Sequence, residues 1–237
     1  MKKCFFALTA LLALSFAKAQ TADEIISKHI DAIGGKDKLS KVTSLYIESG
    51  TLVMGVESET KTTILNGKGY RNESDFNGQK IVQVMTDKGG WMINPFGGSS
   101  EATALPADQY KAGQDQVFIA GPLYDYAAHG GKVELMGREK LGEINAYKLK
   151  YTNKDSKETF FYIDPTTYYV LQAVRTGDAM GQEIIITIAF SNYQKTDAGI
   201  SIPYSTDIDM GQFALKVNVK KVETNKPVDP AIFDMPK

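Results

Sequence analysis

Between Glu158 and Val222 apolar and polar residues alternate. Ile184, Ile186, Ile188 and Phe190 share one face of a run from Glu183 to Tyr193. Phe213, Leu215, Val217 and Val219 alternate with Ala214, Lys216, Asn218 and Lys220. A period of two with one apolar and one polar face predicts antiparallel strands in a sheet that is wet on one side. Turn chemistry separates the runs. Asp164-Pro165-Thr166-Thr167 divides the strand holding Phe160 and Tyr162 from the one holding Val170, Gln172 and Val174, and Lys195 to Gly199 turns the chain into Ile200–Met210.

Upstream the period changes. Thr21 to Ile33 reads as a helix, with Thr21 as cap, Asp23 and Glu24 in the first turn, and Ile25, Ile26, His29, Ile30 and Ile33 as an apolar stripe. Gly34-Gly35 ends it, and Lys36 to Ser40 predicts a short second helical turn. Strands are predicted at Ser44–Val53, Glu57–Leu65, Tyr70–Phe76, Gln79–Thr86 and Trp91–Ile93, with Asn77-Gly78 the strongest hairpin signal. Asn94 to Ser100 breaks the pattern. Pro106 to His129 interrupts it with a helix from Pro106 to about Asp115 and a second short helix or turn over Pro122–Ala128. Strands resume at Val133–Arg138 and Ala146–Thr152, and the proline-bearing end, Asn225 to Lys237, reads as irregular. The total is roughly eleven strands in a mainly antiparallel β, α+β fold, with helix placed to cover a sheet. No internal repeat or linker divides residues 20–237, so they read as one domain.

The first residues carry a different signal. Lys2 and Lys3 precede an apolar run from Cys4 to Phe16, too short to span a bilayer, and Ala17-Lys18-Ala19 forms a small-x-small cleavage site. Residues 1–19 therefore read as a signal peptide cut between Ala19 and Gln20, which predicts an exported mature protein. Cys4 is the only cysteine, so the mature chain has no disulfide or thiol chemistry. Without Lys2, Lys3 and Lys18 the balance is 24 basic against 28 acidic residues, which argues against nucleic acid as a partner.

Candidate chemistry is sparse. His29 lies on the helical stripe and reads as a satisfied, partly buried histidine; His129 precedes two glycines and reads as a loop residue. Two histidines and no mature cysteine leave no metal-ligand spacing, and nothing matches a nucleophile elbow, a P-loop or a dinucleotide fingerprint. The reading is of a protein that is not an enzyme and needs no cofactor. A half-wet sheet of this size must still cover its apolar face, either by filling a barrel or by a half-barrel capped with helices, whose greasy cavity a ligand completes. Met92, Phe96, Phe118, Leu123, Tyr124 and Tyr126 flank the helical interruption and are the candidates to line such a mouth. The alternative is that they are core residues with no cavity.

Several short motifs, in order along the mature chain, resemble one family. Asp23 to Gly35 followed by Leu39 and Val42 is similar to the start of LolA-like proteins, periplasmic carriers of outer-membrane lipoproteins. Phe190-Ser191-Asn192-Tyr193 with Gly199-Ile200-Ser201-Ile202-Pro203 resembles the family's hairpin, Phe161 to Pro165 its strand entering an Asp-Pro turn, and Pro230 to Pro236 its closing segment. The resemblance implies a curved, incomplete β-barrel with helices as a lid and a cavity for acyl chains. It implies a monomeric, non-enzymatic carrier of lipid or of lipoprotein acyl chains, with lipid or an envelope protein as partner. The chain departs from the family in its long Pro106–Gly131 insertion, and none of its three arginines, Arg71, Arg138 and Arg175, matches a lid-locking position. The same fold also serves partner-binding and envelope-stress sensor modules, and similar domains are appended to some exported zinc peptidases in an accessory role. An envelope-lipid hydrolase is a further alternative, and it predicts polar groups converging near His129.

Overall fold

The computed structural model describes residues 20–236 apart from 54, 98, 180, 181 and 212. The predicted signal peptide lies outside the described residues. The chain begins with α1 (Ala22–Ala32) and α2 (Lys36–Leu39), then runs through β1 (Ser44–Val53), β2 (Val56–Leu65), β3 (Gly69–Phe76), β4 (Gln79–Thr86), β5 (Gly90–Asn94) and β6 (Ser99–Ala104). Helix α3 (Ala107–Gly113) and a 3-10 turn (Gln114–Val117) follow. The remaining strands are β7 (Lys132–Leu141), β8 (Ile144–Thr152), β9 (Glu158–Ile163), β10 (Val170–Ala179), β11 (Gln182–Lys195), β12 (Ser201–Asp209) and β13 (Ala214–Thr224).

Among the described residues all thirteen strands form one antiparallel sheet in the order β6-β5-β4-β3-β2-β1-β13-β12-β11-β10-β9-β8-β7. Strands β6 and β7 are its two edges, and they do not pair with each other. This is the curved, incomplete barrel of the sequence reading, with helices on one face. Thirteen strands stand against the roughly eleven expected. The one without a counterpart among the predicted runs is the edge strand β6, Ser99–Ala104, which begins inside the broken stretch from Asn94 to Ser100. An edge strand needs only one hydrogen-bonded neighbour and no buried face, so a Ser-Ser-Glu-Ala-Thr-Ala run carries no alternation to read. The proline-bearing end also holds one 3-10 turn, Pro230–Phe233, capped by the Asp229 side chain.

Helix α1 forms where the pattern placed it. The Thr21 side chain accepts from the Glu24 amide while the Glu24 carboxylate accepts from the Thr21 amide, a complete capping box. Ile25, Ile26 and Ile30, with Ile33 just beyond, bury their stripe against Tyr147, Leu149, Phe161, Ile163 and Ile202 of the sheet. Each such side chain contributes about 1.5–3 kcal/mol by leaving water. Gly34 ends the helix for a steric reason. At φ +135° a Cβ there would lie 3.1 Å from the Ile200 Cα and 3.2 Å from the Gly199 carbonyl oxygen. That close approach lets the Ser201 amide donate to the Ile33 carbonyl at 2.8 Å, which fastens α1 to the start of β12.

Two smaller clusters complete the core. Val82, Val84, Trp91 and Phe233 pack on one face of β4 and β5, under the C-terminal turn. Met85, Leu105 and Val117 pack on the other, under α3 and the turn that follows it.

Candidate functional site

Strand register decides which residues share the face covered by the helices. Tyr70 pairs with Ile64, Ile64 with Leu45, and Met85 lies opposite Tyr70 on the other side. Ser49, Thr51 and Val53 follow two by two along β1 and pair with Val219, Val217 and Leu215 of β13. Leu215 pairs with Ile208, Ile208 with Ile188, and Ile188 with Ala173. Ala173 in turn pairs with Phe161, against which α1 packs. Tyr70 and Arg175 therefore belong to one continuous inner face, since side chains alternate across a sheet without exception unless a bulge intervenes.

That face has two characters. On β1 and β2 it is hydroxylic: Ser49, Thr51, Ser58 and Thr60 are buried, and the Thr51 and Thr60 Oγ1 atoms are 2.7 Å apart in a hydrogen bond. Asn72 on β3 donates through Nδ2 to Thr62 Oγ1 at 2.8 Å. On β11 to β13 it is aliphatic: Ile184, Ile186, Ile188, Ile208, Leu215 and Val217 are all only half-buried. A fully packed interior leaves no such accessible row, because core side chains interdigitate to crystal-like density.

Residues 105–131 run from the end of β6 to the start of β7, which are the two sheet edges, and so strap the open side of the barrel. On the β3–β4 side the Gly67 amide donates to the Val117 carbonyl at 2.8 Å, the Ile119 amide to Asn66 Oδ1 at 3.1 Å, and the Tyr110 hydroxyl to the Thr86 carbonyl at 3.0 Å. On the β8–β9 side Asn153 Nδ2 donates to the Lys111 carbonyl at 2.8 Å, Gln114 Nε2 to Asp155, and the Tyr151 hydroxyl to Asp115 Oδ2 at 2.8 Å. Gly113 allows α3 to sit directly on Met85, whose terminal methyl fills the place of a Cβ. The Tyr126 hydroxyl reaches Asp23 Oδ1 of α1 at 2.6 Å.

At the base of the strap a cleft of about 290 Å³ is lined by Thr86, Tyr110, Asp115, Phe118, His129 and Lys154, among others. His129 stacks on Phe118 with centroids 4.0 Å apart. Burial raises the Asp115 carboxyl above its ordinary value, against the opposing pull of the Tyr151 hydroxyl and His129, and burial raises the Tyr151 phenol as well. On the opposite, outer face a groove of about 580 Å³ lies between the C-terminal segment and β1 to β5, lined by Tyr46, Arg71, Glu73, Lys80, Trp91 and Met235, among others. Among the described residues no group of three or more His, Cys, Asp or Glu side chains is placed to hold a metal ion. No helix there is long and apolar enough to cross a membrane.

The six residues singled out from the sequence go to different places. Met92 and Phe118 meet in the cluster around Met85 beneath the strap. Leu123, 2% exposed, and the half-buried Tyr124 and Tyr126 pack into the main core with α1. Phe96 is 55% exposed and meets Phe76 edge to face at 5.7 Å. The inner isoleucines of β11 were legible as an apolar face. Tyr70 and Arg175 were not singled out, because only the register across the sheet brings them onto it.

No protein-family model matches the chain, and no curated protein matches it. Among solved structures it is similar to a DUF1329 family protein from Desulfovibrio piger ATCC 29098, with a TM-score of 0.59 and 15% identity over 91% of this chain and 98% of that one. It is similar to a LolA superfamily protein from Nitrosomonas europaea, at 0.60 and 13% over 91% and 98%. A Vibrio parahaemolyticus domain described as an outer membrane lipoprotein-sorting protein aligns at 0.56 and 13% over 88% and 95%. At such identities the likeness is one of fold, and the chain has a LolA-like fold.

Proposed function

We propose, starting from that fold, that the protein is a non-enzymatic, monomeric periplasmic carrier of lipid or of the acyl chains of lipoproteins. The observation that carries the reading is the inner face itself. Ile184, Ile186, Ile188 and Ile208 stand half-buried on the face that the strap and α1 only partly cover. An acyl chain laid along them gains about 0.8 kcal/mol for each CH₂ removed from water. The strap, held by hydrogen bonds at both ends, is the element whose opening admits and releases the chain. The export signal read from residues 1–19 and the likeness to a lipoprotein-sorting domain support the same reading.

The test is native mass spectrometry of the protein purified from cell envelopes, with lipid extraction of the same sample. A bound or exchangeable acyl ligand is expected. Its absence under several purification conditions, together with failure to take up added acyl chains, removes the carrier reading.

A further inference from the structure

The chain has three arginines, and two have partners. Arg71 bonds Glu73, donates through Nη1 to the Ile232 carbonyl at 2.7 Å and lies 5.4 Å from the centre of the Trp91 ring. Arg138 donates through Nη2 to the Tyr147 hydroxyl at 2.6 Å and lies 4.2 Å over its ring. Arg175 differs. It projects from β10 on the inner face, one strand from Ile186 and two residues from the core residue Ala173. Among the described residues no carboxylate stands within ion-pair distance of it, and none of them accepts a hydrogen bond from its guanidinium.

A guanidinium brings five fixed donors, and a buried cation without an acceptor is costly. Burial pulls the Arg175 guanidinium below its ordinary range, and the group that acts on it electrostatically is Tyr70, on the same inner face across the barrel. Enclosure by protein pushes the Tyr70 phenol up to about 12, with Arg175 as the opposing influence. Both side chains are nevertheless only half-buried by surface. Arg175 and Tyr70 thus set two unmatched polar heads on the inner face, and the neighbours of Arg175 on that face are the half-buried Ile184, Ile186 and Ile188.

We infer that Arg175, with Tyr70 across the barrel on the same inner face, is the head-group site for an acyl chain ending in an anionic oxyacid, a carboxylate or a phosphate monoester, whose tail lies along the isoleucines of β11. The inference rests on the carrier reading and narrows it from any acyl chain to an anionic amphiphile. A planar guanidinium matches two oxygens of such a head, and the phenol supplies a third donor. A neutral head in the same place leaves the guanidinium unpaired.

The experiment compares hexadecanol, palmitate and hexadecyl phosphate by isothermal titration calorimetry on the mature protein. Wild type is expected to bind at least one of the anions about tenfold or more tighter than the alcohol, the scale of a charge-assisted hydrogen bond. Whichever anion binds tighter identifies the source of the head group. Arg175→Met is expected to bring the anion-to-alcohol ratio near one while the alcohol still binds, and Tyr70→Phe to narrow the ratio without abolishing it. If Arg175→Met does not fold, Arg175→Gln and the wild-type ratio carry the test. Wild-type affinities that are equal for anion and alcohol, or a ratio untouched in the Arg175 variant, overturn the head-group site and leave the carrier reading standing. Failure of all three probes to bind overturns both.

Discussion

The ring of Phe233 lies against Gly69. A Cβ at Gly69 would stand 2.7 Å from the ring's Cγ and 2.8 Å from each of its Cδ atoms, so the glycine is the floor on which the aromatic ring rests. The Phe233 carbonyl also accepts from Trp91 Nε1 at 2.8 Å, in a site buried from water. One side chain and one carbonyl thus clamp the C-terminal segment over Val82 and Val84. Phe233→Ala is expected to lower stability by about 3–5 kcal/mol, the range for emptying a buried aromatic site. Gly69→Ala is expected to release the same segment by steric displacement. Urea unfolding of both variants checks this, and a loss below about 1 kcal/mol for Phe233→Ala would show the C-terminal turn to be an ornament rather than part of the core.

His29 gives stability a pH dependence. Its ring is 6% exposed on the inner stripe of α1, and Nδ1 lies 2.9 Å from the Tyr168 carbonyl, so Nδ1 carries the proton and donates. Burial lowers its pKa below the ordinary 6.5, although the Tyr168 bond pulls the other way. Above pH 6.5 both folded and unfolded chains hold a neutral ring. Below it the unfolded chain takes up a proton that the folded chain resists, so stability is lost as pH falls from 6.5 towards the lowered value. Each unit of lowering is worth about 1.4 kcal/mol. His29→Gln, which keeps a donor for the Tyr168 carbonyl, is expected to flatten the stability curve below pH 6.5. Identical slopes in variant and wild type would exclude His29 as the source.

What the sequence revealed and what it hid follow from the range of the interactions. Helix α1 was legible because its signals are local: Thr21 and Glu24 three residues apart, four isoleucines at helical spacing, and Gly34-Gly35 at its end. The strap was legible as a break in the two-residue period, with Pro106 at its start. Strand β6 was not, since an edge strand of small and polar residues has no buried face to betray it. The inner position of Arg175 was hidden for a different reason. Its phase relative to Tyr70 depends on registers summed across the strands between them, and a one-residue slip or bulge in any of them reverses the answer. Of the residues proposed to line a mouth, Leu123 and Tyr124 were chosen for apolar character, which cannot distinguish a core contact from a cavity wall.

The half-buried isoleucines separate stability from binding. Ile186 packs across Gly177, which has no side chain to oppose it, and retains accessible surface on the inner face. Replacing it with threonine removes apolar surface that the protein itself only partly covers, so the expected loss of stability is under about 1.5 kcal/mol. Acyl affinity is expected to fall several-fold, because the lost surface is what a ligand covers. Thermal unfolding and acyl-probe titration of Ile186→Thr check the pair of outcomes. A large stability loss with unchanged affinity would mean that Ile186 is sealed core.

Asn153 ties the strap to the sheet, and its removal tests whether the strap opens. Its Oδ1 accepts from the Asp155 amide at 3.0 Å and the Lys157 amide at 2.9 Å, which shapes the β8–β9 turn, while Nδ2 donates to the Lys111 carbonyl at 2.8 Å in α3. One buried amide therefore serves both the hairpin and the strap. Asn153→Ala leaves the Lys111 carbonyl and two turn amides without that partner, an expected cost of about 1–3 kcal/mol. Asn153→Asp keeps the acceptor for the two turn amides, loses the donor to Lys111 and sets a carboxylate oxygen against that carbonyl. If the strap is a gate fastened at this point, both variants speed hydrogen exchange across residues 107–117. Exchange there that stays at the wild-type rate in both variants, while the hairpin loosens, would show that the strap's other bonds, from Gly67, Asn66, Thr86, Tyr151 and Asp155, hold it without Asn153 and that this point is not the fastening of a gate.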